Sequence, residues 1–256
     1  MQITLEGKTK EQVAIERLKQ YEPPEGYILA FSGGKESISI YKLAELSLVK
    51  FEAHYNVTNT DPIELVQFIK QYYPTVKRDI PKVSMWHLIE KKGPPTRMSR
   101  WCCEKLKERG HDGRVVITGI RSEESFTCRN RPVYLKRKKQ ILLNPIIDWT
   151  LLDVWDFIDK YKLPYCSLYD TQFDRLGCIG CPLSSNQAIE FKLYPKIAEA
   201  WHRAVLRSWE YKKEHSKMNM TMAAIKDGED YWQWWLSGKS IKEYTKQNQE
   251  VMELGV

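Results

Sequence analysis

Apolar residues in this chain fall into short runs separated by longer amphipathic stretches. Tyr27-Ile28-Leu29-Ala30-Phe31 is an unbroken apolar run of strand length, and it leads through Ser32 into Gly33-Gly34. Further strand-like runs occupy 51–57, 75–80, 114–119 and 141–146. Between them the periodicity changes. Residues 8–21 place Val13, Ala14, Leu18 and Tyr21 on one helical face, and Pro23-Pro24-Glu25-Gly26 closes that helix. A second helix is expected over 35–48, and Asp61-Pro62 opens a third with proline in its first turn. Strands alternating with helices predict an α/β fold: a mostly parallel sheet of about five strands with helices on both faces. Strand order is not encoded in such a pattern.

From about residue 165 the character shifts to loops rich in Cys, Gly and Pro. Helical periodicity follows over 187–215, and then the tryptophan-rich stretch Tyr231-Trp232-Gln233-Trp234-Trp235. This predicts an α/β domain over 1–164 and a helical, cysteine-containing extension over 165–256.

Composition narrows the class. A chain of 256 residues with 42% hydrophobic residues can build one α/β core and a smaller appendage. No apolar run approaches the ~20 residues of a spanning helix, and the first residues lack an apolar signal core. A cytoplasmic location with no membrane partner is expected. Net charge is +7, which fits either solvated lysines or a polyanionic partner. Six cysteines in a reducing compartment are not expected to form disulfides. Cys102-Cys103 and the CxxC of Cys178 and Cys181 suggest one four-ligand site, whereas Cys128 and Cys166 read as packed thiols. Cys128 also sits close to Arg129 and Arg131, which suits a sulfur carrier as an alternative role. His54, His87, His111, His202 and His215 show no ligand-like spacing and read as structural or exposed.

The most informative motif is Phe31-Ser32-Gly33-Gly34-Lys35-Glu36-Ser37 at a strand-to-helix junction. Paired glycines let a backbone approach a pyrophosphate closely, and a helix amino terminus adds partial positive charge. Ser32 and Ser37 can donate hydroxyls, and Lys35 can neutralise phosphate charge. The glycine spacing is not that of a Walker A loop. Arg121 and Arg129 follow the fourth strand, on the edge where ligands of parallel sheets bind, and can reach phosphate, sulfate or adenine.

Ser32-Gly-Gly-Lys-Glu-Ser37 resembles the SGGxDS pyrophosphate loop of the ATP pyrophosphatase and adenine-nucleotide α-hydrolase group, with Glu36 in place of the usual aspartate. Gly119-Ile-Arg-Ser-Glu-Glu-Ser125 with Arg129, and Asn144-Pro-Ile-Ile-Asp-Trp149 followed by Asp153-Val-Trp155, are similar to segments of its phosphoadenosine phosphosulfate reductase branch. Cys102-Cys103-Glu-Lys-Leu-Lys107 and Cys178-Ile-Gly-Cys181 resemble the cysteine motifs of iron–sulfur adenylyl-sulfate reductases.

The resemblance implies a Rossmann-like enzyme that binds an adenine nucleotide, ATP or a sulfonucleotide, with Mg2+. Ser32, Gly33, Gly34, Lys35, Ser37, Arg121 and Arg129 would hold the nucleotide, with Lys35 and Arg121 as the catalytic pair. Cys102, Cys103, Cys178 and Cys181 would hold a four-iron four-sulfur cluster, with zinc or reduced cysteines as alternatives. Adjacent cysteines on one helical turn point about 100° apart, which suits the edge of a cube. Lys107, read as one turn beyond Cys103, could offset the cluster's charge.

Adenylyl-sulfate reductases of this type attack with a cysteine near the carboxy terminus, and no cysteine follows Cys181 here. The expected chemistry is therefore ATP cleavage between the α and β phosphates, followed by cluster-assisted sulfur transfer to a nucleic acid or small acceptor, with a sulfur-donor protein as partner. A sulfonucleotide reductase using another thiol, and a nucleotide-sensing protein without catalysis, are the competing expectations. The basic run Lys136-Arg-Lys-Lys139 could track a nucleic-acid backbone or form a solvated hairpin.

Overall fold

A computed structural model describes residues 7–137, 139–171, 173–215 and 222–253. The chain divides into two compact units. The first comprises 1–57, 62–80 and 109–177, and the second comprises 58–61, 81–108 and 178–256.

The first unit is built on a sheet. Thr9 caps α1 (Lys10–Gln20), accepting from the Gln12 amide while the Gln12 side chain accepts from the Thr9 amide. The apolar face of α1 buries Ala14 and Leu18. After the Pro-rich turn come β1 (Tyr27–Ala30), α2 (Lys35–Ser47), β2 (Phe51–Asn56), α3 (Ile63–Tyr72) and β3 (Lys77–Asp79). The chain returns to the sheet as β4 (Val115–Ile117), followed by α5 (Phe126–Arg129), β5 (Tyr134–Lys136), β6 (Ile141–Leu143) and α6 (Leu151–Lys160). The strand order is β3-β2-β1-β4-β6-β5. Every pairing is parallel except the β5–β6 hairpin.

Alternation along the strands sorts residues between two clusters. Tyr27, Leu29, Ala53, Tyr55, Val115, Ile117 and Leu143 join the large core. Ile28, Val116 and Leu142 form a small second cluster.

This architecture bears out the α/β reading, with two differences. The sheet has six strands, because β5 escaped notice. It is three residues long, its ends Tyr134 and Lys136 are exposed, and it lies on the sheet edge, so it lacks the apolar run of an interior strand. The observed strands are also shorter than their apolar runs, since turns begin inside them.

The second unit takes in α4 (Met85–Lys92) together with α7 (Gln187–Leu193), α8 (Pro195–Glu214), α9 (Gly228–Ser237) and α10 (Ile241–Glu253). Ser84 caps α4 and Asp227 caps α9. Met85 and Ile89 of α4 pack with Trp201, Val205 and Trp209 of α8 and with Tyr231, Trp232, Trp234 and Trp235 of α9. The tryptophan stretch is thus a packing core: Trp201 and Trp235 stack with ring centroids 4.7 Å apart. A cut at 164/165 does not describe these units. The chain leaves the sheet unit after Ile80 and re-enters it at Arg109, so the segment bearing Cys102 and Cys103 belongs with the later helices. Among the described residues, no helix is long and apolar enough to cross a membrane.

Candidate functional site

In the sheet unit, β1 has β2 on one side and β4 on the other. Loops leaving β1 and β4 therefore meet where the strand order reverses, the usual ligand position in open parallel sheets. Ser32–Lys35 follows β1, and Gly119–Ser125 follows β4.

Gly33 has φ +74°, a conformation that side chains rarely adopt. A Cβ there would come within 2.6 Å of Leu65 Cδ1 and 2.9 Å of Ile69 Cδ1 on α3. Gly34 has an ordinary extended backbone, and a Cβ there would meet Ser32 Oγ and Tyr169 Oη at 3.4 Å and Glu36 Oε2 at 3.9 Å, all ordinary contacts. The local fold thus requires glycine at 33 and leaves 34 open for close approach. Gly33→Ala is expected to cost about 2–4 kcal/mol of stability, from backbone strain and overpacking. Gly34→Ala should leave the melting temperature nearly unchanged, a contrast that thermal denaturation measures directly.

Gly34 is the N-cap of α2 and offers no side-chain cap. The Ser32 hydroxyl accepts from the Gly34 amide at 3.3 Å, and the Ser37 hydroxyl donates to the Gly34 carbonyl at 2.8 Å. Lys35 is 4% exposed. Its amide donates to Tyr169 Oη at 3.0 Å, and its ammonium donates to the Asp174 carbonyl at 2.8 Å. That ammonium also lies 3.4 Å from Glu36 and 5.0 Å from the Tyr169 ring centroid. Burial pushes the Tyr169 phenol well above its ordinary range, so it stays protonated at neutral pH. Neither Tyr169 nor Asp174 carried a motif.

Arg121 is 5% exposed and stands among carboxylates. Its guanidinium donates to Glu123 at 2.8 Å and to Glu36 at 3.2 Å, with Glu124 at 3.9 Å. Burial raises the Glu124 carboxyl above its usual range, and Glu36 adds to the shift. Gly119 permits this arrangement, because a Cβ there would lie 2.8 Å from Glu36 Cβ. The structure therefore brings Ser32, Gly33, Gly34, Lys35, Ser37 and Arg121 into one neighbourhood tied by Glu36. Arg129 stands apart, exposed at the end of α5, with its described contact to the Phe126 ring at 5.8 Å. Cys128 is buried in the same short helix, and Cys166 is fully buried.

The second unit assembles the four paired cysteines. Cys102, Cys103, Cys178 and Cys181 line one cavity with Met85, Pro95, Leu106 and Trp201 around them. Residues Cys103–Lys107 form a π-helix, closed by the Glu108 amide donating to the Cys103 carbonyl at 2.8 Å. The expected α-helical turn is thus a wider one. Lys107 still lines the cavity. Its ammonium is raised above its ordinary pKa by the Cys178 sulfur, with Asp61 and Cys103 adding to the effect against burial.

The CxxC loop is held from outside. The Ile179 amide donates to the Thr60 carbonyl at 2.8 Å, and Trp201 Nε1 donates to the Ile179 carbonyl at 3.0 Å. Buried Glu190 accepts from the Gly180 amide and the Ser184 hydroxyl. Gly180 has φ +76°, and a Cβ there would lie 2.5 Å from Phe191. The Cys178 thiol donates to Thr58 Oγ1 at 3.4 Å.

Arg100, unnoticed in the sequence, donates to Cys103 Sγ at 3.5 Å. The neighbouring Cys102 thiol and Arg100 hold Cys103 below the ordinary thiol range, against burial. The same contact raises Cys102, and burial raises Cys181. In reduced, metal-free protein, Cys103 should therefore alkylate first. Its rate should reach its plateau at a lower pH than that of an ordinary thiol. Peptide mass spectrometry after timed iodoacetamide exposure reads this order, and Arg100→Ala should move the profile to higher pH.

A mostly parallel sheet with a glycine loop and a glycine-capped helix amino terminus at its switch point defines a Rossmann-like nucleotide-binding protein. Residues 26–184 match the phosphoadenosine phosphosulfate reductase domain, and the chain belongs to that adenine-nucleotide-binding family. Two uncharacterized proteins of Methanocaldococcus jannaschii are similar to it. One is 33% identical over 192 residues, covering 67% of this chain and 46% of that protein. The other is 31% identical over 229 residues, covering 81% and 45%. The chain thus spans about half the length of these relatives. An adenosine 5'-phosphosulfate reductase of Staphylococcus haemolyticus is 27% identical over 174 residues, covering 60% of this chain and 69% of that protein. The crystal structure of a phosphoadenylyl-sulfate reductase from Candida auris, a phosphate complex, shares the fold. It superposes with TM-score 0.50 at 17% identity and covers 70% of this chain and 97% of that one.

Proposed function

We propose that the chain cleaves ATP between the α and β phosphates to activate an acceptor for sulfur transfer. An acceptor oxygen attacks the α phosphorus and pyrophosphate leaves. Hydrosulfide-level sulfur delivered by a donor protein then attacks the activated acceptor, the new bond to sulfur forming as AMP departs with the oxygen. The observation that carries this reading is the four-cysteine cavity, a second chemical centre beyond simple nucleotide binding.

In the sheet unit, the amides at the start of α2 would face the pyrophosphate, with the Ser32 and Ser37 hydroxyls as further donors. Lys35 would exchange its contacts with Asp174 and Glu36 for phosphate oxygens. Arg121 would hold Glu36 in place and stabilise charge at the attacked α phosphate. The excess of carboxylates around Arg121 suits Mg2+: Glu36, Glu123 and Glu124 would hold it, and it would offset phosphate charge. Arg129 would act on the substrate anion only from the periphery.

The cysteine donor set fits a sulfur-loving metal group: four thiols converge on one cavity with apolar walls, and Arg100 and Lys107 offset thiolate charge. A four-iron four-sulfur cluster there would supply a site to hold sulfur, whereas tetrahedral zinc would supply structure alone. Arg100 and Lys107 would help keep Cys103 deprotonated for ligation.

Anaerobically purified protein given ATP, adenylyl sulfate or its 3'-phosphorylated form tests the proposal on one sample. Acceptor-dependent pyrophosphate release from ATP supports it. Sulfite release from a sulfonucleotide would instead establish a reductase, the reading favoured by the Staphylococcus haemolyticus relative. Nucleotide binding without any turnover would make the chain a sensor.

The acceptor class is open to a separate measurement. Lys136 ends β5, and Arg137 and Lys139 lie exposed in the turn before β6, while Lys138 lies outside the described residues. If this hairpin tracks a nucleic-acid backbone, replacing all four residues with alanine should weaken RNA or DNA binding across sequences and flatten its salt dependence. Unchanged affinity at low and physiological salt would point to a small-molecule acceptor.

A further inference from the structure

Three residues without a sequence motif converge in the sheet unit. His54 lies on β2, Asp79 ends β3, and His111 lies on the stretch leading into β4. One nitrogen of each imidazole and one oxygen of the carboxylate all lie within 4.8 Å of one another. Asp79 Oδ2 is 2.8 Å from His54 Nδ1 and 3.7 Å from His111 Nε2. The two rings meet edge to face, with centroids 4.3 Å apart and planes at 67°.

Two features distinguish this group from a plain His–Asp hydrogen bond. First, His54 Nε2 is buried and has no hydrogen-bond partner. The nearest carboxylate oxygen, on Glu52, is 3.5 Å away, and Glu52 is itself held by Lys77 at 2.6 Å. A histidine that binds metal through Nδ1 commonly turns its other N–H toward such an outer carboxylate. Second, the surroundings fix the donors. The Arg109 guanidinium donates to the Asp79 backbone carbonyl, and His111 sits at φ +59°, a strained backbone for a side chain with a Cβ. His54 and Asp79 are also in register near each other, since His54 pairs with Lys77 and Asn56 with Asp79.

We propose that His54, Asp79 and His111 form a binding site for a divalent transition metal of the zinc, cobalt and nickel class, with water completing the coordination. Two imidazoles and one carboxylate suit these ions and not Mg2+ or Ca2+, which prefer all-oxygen shells. Donors at about 2.0–2.2 Å from zinc stand roughly 3.3 Å apart in a tetrahedron. The two separations from Asp79 Oδ2, 2.8 and 3.7 Å, each lie about half an ångström from that spacing, and the two imidazole nitrogens are within 4.8 Å of each other. The Phe31 amide donates to the His54 carbonyl at 2.9 Å, so the site is anchored one residue before the Ser32 loop. Metal here would clamp β2, β3 and the stretch before β4 beside the nucleotide loop, chemically distinct from the thiol-lined cavity.

Cobalt(II) titration of the whole protein, with its cysteine site loaded during anaerobic purification, is the test. One additional equivalent should bind, with visible d–d bands and no thiolate-to-cobalt charge-transfer band. His111→Asn, chosen because asparagine tolerates the left-handed backbone, should weaken that binding at least roughly tenfold. Glu52→Gln should weaken it by a smaller factor, since it removes only an outer carboxylate. Zinc should raise the melting temperature of the native protein and not of the His111→Asn variant. Absence of binding at millimolar cobalt would overturn the proposal. So would a signal that persists in His111→Asn, or one that disappears in a Cys178→Ser, Cys181→Ser variant. None of these readouts depends on nucleotide turnover.

Discussion

Replacing Cys178 and Cys181 together with serine should take the anaerobic protein from about four irons per chain to none, with loss of its brown colour. These two residues supply half of the sulfur donors lining the cavity, and no other cysteine among the described residues lines it beyond Cys102 and Cys103. Serine hydroxyls do not ligate iron as thiolates do, so partial occupancy is not expected. Cysteine-site binding is coupled to folding. The variant should therefore also lose protection in the Thr60–Ile179 and Trp201–Ile179 hydrogen bonds that anchor the loop. Iron analysis and hydrogen exchange read the two effects separately. Stoichiometric zinc with no iron in the unmodified anaerobic protein would replace the cluster with a tetrahedral metal.

Lys35→Met should weaken ATP by about 1–3 kcal/mol, which is roughly 5- to 150-fold in affinity, the scale of a lost charge-assisted contact. Methionine keeps the buried methylenes of a residue that is 4% exposed, so the loss isolates the ammonium. The ammonium has nearby partners in the protein alone, the Asp174 carbonyl and Glu36. Part of its attraction to phosphate is therefore offset by giving these up, which favours the lower half of the range. Calorimetry at fixed Mg2+ measures the change, and a thermal melt checks that the fold survives. Equal affinity in both proteins would make Lys35 a structural residue and remove it from the proposed catalytic pair.

Residues with a chemistry-bearing local pattern were readable in the sequence, and residues brought in by the fold were not. The strand preceding Gly33-Gly34 is an unbroken apolar run, and the two glycines mark the turn, so β1 and the loop stand out. Their separate duties do not. Only backbone geometry shows that Gly33 carries the positive φ and that a Cβ at Gly34 would make only ordinary contacts. Paired cysteines announced a four-ligand site, but Arg100 and Glu190 have no pattern that links them to it. Arg121 was legible as a cation beside the loop. Its burial among Glu36, Glu123 and Glu124 depends on the packing of Gly119 against α2. His54 and His111 read as unrelated because their convergence is created by strand pairing and a chain return, both long-range events. The two compact units were not legible for a similar reason: composition shifts at one point along the chain, whereas the second unit is stitched from three stretches.

That stitching orders the events of synthesis. The stretch 81–108 emerges from the ribosome well before α8 and α9, yet Met85, Ile89 and Leu106 find their apolar partners there. A growing chain can close the β1–β4 pairing while these side chains remain wet, together with two of the four thiols. The sheet unit can thus mature first, and the cysteine unit must wait for the chain to pass Trp235. During that interval Cys102 and Cys103 are exposed to oxidants without their partners, so slowing elongation between β4 and α9 should lower the yield of metal-loaded protein more than the yield of folded sheet.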